Sequence, residues 1–371
     1  MITRSKVKGM VIGGAHGDAL AFPVETWTPE RIEATYPTGL DRYHTPFGHK
    51  FFTAEEMPPG SVTDDTQLTE MVMRAMIDGH PEATTKGSFE PYMDAIAAAH
   101  VVALKTNIGG WGSTTVEAIR RLANGVHWQE SGKTTEPKRG RGNGVPMKCS
   151  PLAAWLLSPV GQRFAASGGF KVNKFNQWLV AFSAMTHHTR MSAEAGIIHT
   201  NVMSCLLGSD PAQFVLQDVV DIFDVGVWAW GKCDPEAEHH YHHAQLEGGE
   251  DELRVPMNKL GTYCRDGSLF GMDRDKLRAE FGNGSCDVYD SLPFAYAFFL
   301  KNPHTPHTVR MVGEAGGDTD TNAKIVGEMI GALHGLEIFE KPGMEWIIGG
   351  LRDKDRLLAL ADEFCDTFEI K

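Results

Sequence analysis

Several absences narrow the reading of this chain. No run of about 18 apolar residues occurs anywhere, so no transmembrane helix is expected. The six cysteines (Cys149, Cys205, Cys233, Cys264, Cys286 and Cys365) are scattered and form no CxxC pair. That spacing fits neither a zinc site nor a disulfide framework, and a large chain needs no such staples. Basic charge is in deficit: the formal net charge is −13. Such a balance argues against a general binder of nucleic acid or of anionic membranes. The apolar stretch "GMVIGGA" behind Arg4, Lys6 and Lys8 is too short for a secretory signal, and His16 and Asp18 interrupt it. A reducing, cytoplasmic setting is the expectation. Strand-like alternation is scarce, and neither repeats nor low-complexity tracts stand out.

What the chain has instead is helical periodicity. In "SVTDDTQLTEMVMRAMIDG", Leu68, Met71, Val72, Ala75 and Met76 recur at three- and four-residue spacing, which predicts a helix ending at Gly79. "FEPYMDAIAAAHVVALK", "STTVEAIRRLANG", "NKFNQWLVAFSAMTHH", "MSAEAGIIHTNVMSCLLG", "AQFVLQDVVDIFDVGVWAWG" and "SLPFAYAFFLKN" pass the same test, so an all-α fold is predicted. Two helices carry glycine at every fourth residue: Gly9, Gly13 and Gly17, then Gly327, Gly331 and Gly335. Interior glycine costs about 1 kcal/mol relative to alanine. A face of such residues permits close backbone approach between packed helices. The first and last thirds of the chain are therefore expected to pack together, in a single domain spanning residues 1–371. Residues 38–60 and 127–147 read as loops. Residues 232–285, rich in Gly, His and acid with few periodic apolar positions before 269, read as an insertion or lid. Their cluster His239, His240, His242 and His243 has no carboxylate partner fixed beside it and reads as a surface feature.

Candidate chemistry concentrates at two helix starts. "GGDTDTNAKIVGEMIGALHG", residues 316–335, places Asp318, Asp320 and Thr321 behind two glycines. "SVTDDTQLTE" places Thr63, Asp64 and Asp65 in the same arrangement. Asp and Thr favour helix N-termini as caps. A cap needs one such residue, whereas each start supplies three oxygen-bearing side chains. Oxygen ligation without His or Cys selects hard cations, magnesium first, then manganese or calcium. Four carboxylates brought together repel strongly unless cations lie between them. A two-metal centre is the reading, with two unrelated caps as its rival. Glu25, in "GGAHGDALAFPVE", is a candidate general acid/base or further ligand, and Asp18 a buried hydrogen-bonding residue. In "KRGRGNGVPMKCSPLA", Gly140, Gly142 and Gly144 alternate with Arg139, Arg141 and Asn143. Backbone N–H groups beside positive charge suit a phosphate or diphosphate, and a flexible basic loop is the alternative. His187 or His188, in "SAMTHHTRMSA", lies near a helix end, as a structural or a site residue.

In this order the stretches resemble the ADP-ribosylglycohydrolase family. "GGAHGDALAFPVE" is similar to its GxxxGDAxGxPxE, "TDDTQLT" to its TDDT, and "RGRGNGVPMKCSPLA" to its GNGxxMRxxPLA loop. "SAMTHH" is similar to S-x-x-TH, "SLPFAYAFFL" to SxPxAxxxFL, and residues 316–335 to GGDTDTxAxxxGxxxGAxxG. The resemblance spans nearly the whole chain. It implies an all-α orthogonal helix bundle of the ADP-ribosylglycohydrolase type, with a binuclear centre of two Mg2+ (Mn2+ being the substitute). Thr63, Asp64, Asp65 and Asp320 would hold one ion; Asp318, Asp320 and Thr321 would hold the other, with Glu25 close enough to ligate. Gly142, Asn143, Gly144 and His187 would bind the ADP-ribose.

The implied reaction is hydrolysis of the N- or O-glycosidic bond at ribose C1″ of an ADP-ribosylated protein side chain, arginine first. Glu25 and Asp65 are the candidates for moving the proton. Serine-linked ADP-ribose, O-acetyl-ADP-ribose and modified nucleic acid are alternative substrates. A catalytically weak ADP-ribose-binding or toxin-blocking immunity protein, with a cognate ADP-ribosyltransferase as partner, is the alternative from another class. Two departures stand out. Lys148 replaces an arginine common in the family, which keeps the charge and loses the planar fork. Asn107 occupies the neighbourhood where some arginine-specific members carry an acid.

Overall fold

The computed structural model describes residues 1–49, 52–105, 110–136, 139–166, 172–225 and 253–371. Over these residues the chain is built from helices, and its β structure amounts to an isolated bridge between Gly142 and Asp287. Two helices form the axis. Arg4–Ala21 begins at Thr3, whose hydroxyl accepts the Lys6 N–H, and is buried without interruption from Gly9 onward. Thr319–His334 is buried from Thr319 to Leu333. Helices enclosed on all sides need no polar face, which is why neither shows a clean amphipathic stripe.

The two axial helices meet along the glycine faces, as the spacing predicts. A Cβ on Gly9 would lie 2.6 Å from the Gly331 carbonyl oxygen. One on Gly13 would fall inside the Gly327 carbonyl, and one on Gly17 inside that of Ala323. Nothing larger than glycine fits while backbone faces backbone.

Other helices wrap this pair. Asp64–Lys86 carries Glu90–Lys105 on its outer side, and Lys354–Thr367 closes over both Arg4–Ala21 and Asp64–Lys86. Arg190–Gly208 packs on Ser150–Leu157, Val172–Ala184 and Thr319–His334, which also receives Val288–Lys301. Tyr92, Trp155 and Trp178 form a second packing centre, with ring centroids 4.9 to 5.8 Å apart.

The stop predicted at Gly79 is corrected. The helix continues through Pro81 to Lys86 and ends at Gly87, which takes a φ of 61°. Gly79 serves packing instead: a Cβ there would stand 3.0 Å from the Pro91 carbonyl of the neighbouring helix. Within 232–285, residues 232–252, including the histidine cluster, lie outside the described residues. From 253 the segment contains helix Arg254–Arg265, whose Met257 and Leu260 are fully buried, and helix Arg274–Glu280. The stripe that faces inward is narrow, which is why periodicity before 269 looked sparse. Among the described residues no helix is long and apolar enough to cross a membrane, and Cys149, Cys205, Cys264, Cys286 and Cys365 are free.

Candidate active site

The two glycines before Asp318 adopt φ of 75° (Gly316) and 92° (Gly317), a region that side chains disfavour. The turn they make lets Gly317 pair with the segment after Glu25. The Thr26 N–H donates to the Gly317 carbonyl at 2.8 Å, and the Gly317 N–H donates to that of Trp27 at 3.2 Å. Thr26 takes a φ of 67°, an unfavourable conformation for a β-branched residue, held by this clamp. Glu25, one residue earlier, is thereby set beside the second helix start. One carboxylate oxygen each from Glu25, Asp318 and Asp320 lies within 4.8 Å of the other two.

Asp318 occupies the N-cap position of Thr319–His334 but makes no capping bond. Its Oδ2 instead accepts the Asn143 side-chain amide at 2.7 Å. The same amide donates to Ser291 Oγ at 3.0 Å, and Ser291 donates to Asn322 Oδ1 at 2.8 Å. A chain of polar side chains thus ties the glycine-rich loop to the acids. Simple capping does not describe Asp318.

At the other start, Thr63 is the cap of Asp64–Lys86, its hydroxyl accepting the Asp65 N–H at 3.4 Å. The main work there falls to buried Asp18. Its carboxylate accepts the N–H and hydroxyl of both Thr63 and Thr66, at 2.6 to 3.1 Å. With those orphan donors satisfied, Asp64 and Asp65 are not needed as caps. Asp65 Oδ2 accepts the Thr321 hydroxyl at 3.1 Å, joining the two starts directly. Asp65 Oδ1 is buried and has no hydrogen-bond partner among the described residues. Asp320 Oδ1 accepts the Thr321 N–H at 2.9 Å.

Burial and mutual repulsion disfavour ionisation of the buried aspartates. Asp64 is pushed up to about 8, by burial first and then by Asp18, Glu25 and Asp318. Asp65 and Asp320 are held well above the usual carboxylate range, again by burial first and neighbouring acids second. An all-oxygen donor set, one unpartnered buried oxygen and crowded negative charge together fit a divalent cation.

The glycine-rich loop closes the other side. The His187 ring packs against it, so that a Cβ on Gly142 would lie 3.3 Å from Nε2 and one on Gly144 2.6 Å from Cε1. The Asn143 N–H donates to the Cys286 carbonyl at 3.0 Å, and Arg141 accepts the Val288 N–H at 2.8 Å. Arg139 pairs with Glu117 and Glu136, and Arg141 with Asp287 at 3.0 Å, so acidic neighbours offset the loop's basic charge. Burial pushes His187 down to about 3, with Lys148 adding to it. Lys148 is itself fully buried and pushed down to about 7. The expectation that lysine here keeps the arginine's charge is corrected: at neutral pH the charge is only partly held.

Some participants escaped the sequence reading. His49 Nε2 donates to Glu25 Oε2 at 3.0 Å, and its ring stacks on Phe52 with centroids 5.4 Å apart. A lone histidine in a stretch that reads as loop carries no signal of this. Ser291 and Asn322 lie inside two of the landmark stretches, which was the available clue. Gly110 sits over Asp64, where a Cβ would collide with Oδ1. Asn107 lies outside the described residues.

Comparison with known proteins is consistent along the whole chain. The family model for ADP-ribosylglycohydrolase matches residues 1–370. The chain is 26% identical over 332 residues to ADP-ribosyl-[dinitrogen reductase] glycohydrolase of Rhodospirillum rubrum, covering 89% of this chain and 85% of that protein. It is 22% identical over 310 residues to ADP-ribosylhydrolase ARH3 of Bos taurus, covering 74% and 80%. A solved structure described as an ADP-ribosylglycohydrolase-related protein complex matches with a TM-score of 0.58 at 19% identity, over 98% of both chains, which shows a shared fold. The chain belongs to the ADP-ribosylglycohydrolase family and is a glycosidic-bond hydrolase that removes ADP-ribose.

Proposed function

We propose that the chain removes ADP-ribose from ADP-ribosylated protein side chains, arginine first, by cleaving the glycosidic bond at ribose C1″, with two divalent cations, magnesium before manganese. The observation that carries this reading is Asp65. One of its oxygens takes the Thr321 hydroxyl from the other helix start, and the second is buried without a partner among the described residues. A buried, unsatisfied carboxylate oxygen costs too much to keep without a role. Thr63, Asp64, Asp65 and Asp320 would hold one ion, and Asp318, Asp320 and Thr321 the other. The chemistry that such ions supply is polarisation of oxygen and orientation of the ribose hydroxyls.

Glu25 is then the group that moves the proton. Its side chain is 22% exposed at the rim, beside Asp318 and Asp320, with His49 holding one oxygen. Asp65 is closed in by Thr321 and better suited to ligation. Gly142, Asn143, Gly144 and His187 would receive the ADP-ribose. The Rhodospirillum rubrum relative is named for acting on an ADP-ribosylated protein, dinitrogen reductase, which supports a protein substrate. Free cysteines support a cytoplasmic setting.

The test is release of free ADP-ribose from arginine- and serine-modified protein, side by side, with magnesium and with chelator. Magnesium-dependent release from the arginine substrate, lost in both Asp318→Ala and Glu25→Ala, is the expected result. Release that survives chelation, or that comes from the serine substrate alone, would overturn the metal or the linkage respectively.

A further inference from the structure

His187 has one ring nitrogen engaged and one open. Nδ1 lies 3.0 Å from the Thr186 hydroxyl oxygen. Nε2 lies against Gly142 and has no hydrogen-bond partner among the described residues. On the far side of Thr186 stands Lys148, whose Nζ is 3.3 Å from the same hydroxyl. Beyond that contact, among the described residues the Nζ has only the Phe182 ring, its centroid 5.7 Å away.

Counting donors orders the protons along this line. An ammonium group offers three donors and no acceptor, a hydroxyl one proton, and a neutral imidazole one donor and one acceptor. Thr186 Oγ1 accepts from Lys148, and among the described residues His187 Nδ1 is the acceptor within reach of its single proton, so a hydroxyl buried here keeps that proton satisfied by directing it to Nδ1. Nδ1 must then be the bare nitrogen, and the ring proton must reside on Nε2. Burial keeps the imidazole neutral, which excludes a proton on both nitrogens. The arrangement belongs to the charged form of Lys148, which prevails below about pH 7 although burial disfavours it. A lysine buried with one hydroxyl partner is expensive, and a methionine would fill the same space without that cost.

We infer that Lys148 and Thr186 are positioning residues that fix His187 as its Nε2–H tautomer, presenting a donor to an acceptor oxygen of the bound ADP-ribose. The choice of ligand rests on the proposed role of His187 in binding ADP-ribose; the tautomer does not. Without the relay, His187 could place its proton on Nδ1 toward Thr186 and turn a bare nitrogen to the ligand.

The experiment uses the full chain labelled with 15N-histidine, at about pH 6, where Lys148 is mostly charged. His187 is assigned by the resonance lost in His187→Gln, and ADP-ribose affinity and melting temperature are measured alongside. Wild type and Thr186→Ser are expected to show one Nε2–H form. Thr186→Val and Lys148→Met are expected to show a mixture or the Nδ1–H form, with ADP-ribose bound about five- to tenfold more weakly, the effect of one hydrogen bond. A loss of melting temperature alone is a structural effect that leaves the tautomer unmoved. An Nδ1–H form in wild type, or an unchanged Nε2–H form in both Thr186→Val and Lys148→Met, would overturn the relay. A changed tautomer with unchanged ADP-ribose affinity in those variants and in His187→Gln would support the relay and overturn His187 as the ADP-ribose donor.

Discussion

Asp64→Asn should stabilise the protein when cations are withheld. In the folded chain Asp64 is pushed up to about 8, from an ordinary value near 4 in the unfolded chain. The folded state therefore holds the proton to higher pH than the unfolded state does. Stability from this group is full below about pH 4 and is lost as pH rises to about 8. Four units at about 1.4 kcal/mol each bound the loss at about 5 kcal/mol. Neighbouring buried Asp318, itself raised by burial, can take up a proton when Asp64 ionises, so about 2–5 kcal/mol is the working range. For 371 residues, with an unfolding entropy of about 0.8 kcal/mol/K, that corresponds to about 3–6 °C. The assay is calorimetry at about pH 8.5 and about pH 5, each with chelator and with magnesium. With chelator at the higher pH the variant should melt above wild type by that amount, and the gap should narrow toward pH 5. Magnesium should close or reverse it, because only wild type keeps the full ligand set and gains the binding energy. A variant no more stable than wild type in chelator, or a gap indifferent to pH, would refute the account of these acids as a repelling cluster.

Three further outcomes follow from the same contacts. Gly13→Ala gains about 1 kcal/mol of helix propensity but drives a methyl into the Gly327 carbonyl. It should cost about 3 kcal/mol net in urea unfolding, and a stability gain would break the packing argument. Asp18→Asn leaves one oxygen and one amide facing donors that now share a carboxylate. It should cost about 2–4 kcal/mol and weaken magnesium binding measured by calorimetry; unchanged affinity would separate Asp18 from the site. His49→Ala should lower kcat by about 10- to 100-fold by freeing Glu25, with a much smaller change in KM and recovery in His49→Gln. Equal loss in both variants would point to a fold defect instead.

Much of the candidate site can be read from the chain because its donors sit in local patterns. Three oxygens at a helix start are visible without knowing what they face. The Gly142–Gly144 loop and His187 come together in the fold. What the pattern could not show is which oxygens stay available. The Thr63 and Thr66 hydroxyls give their protons to Asp18, which leaves lone pairs on the Thr63 oxygen, whereas Asp318 is left free of capping by Asn143. His49 gave no sign of itself because its meaning comes entirely from Glu25, brought near by a separate turn.

By itself the sequence determined the helical class, the glycine faces and the set of oxygen donors, since periodicity and composition act over a few residues. Only the tertiary structure decided how those donors are charged and shared. Asp65 meets Thr321 across 256 positions of the chain, and Asp18 meets Thr63 across 45. Lys148 reads as a plain cation, yet full burial pushes it down to about 7. Desolvation and hydrogen-bond saturation depend on everything packed around a group, and no local pattern carries that information.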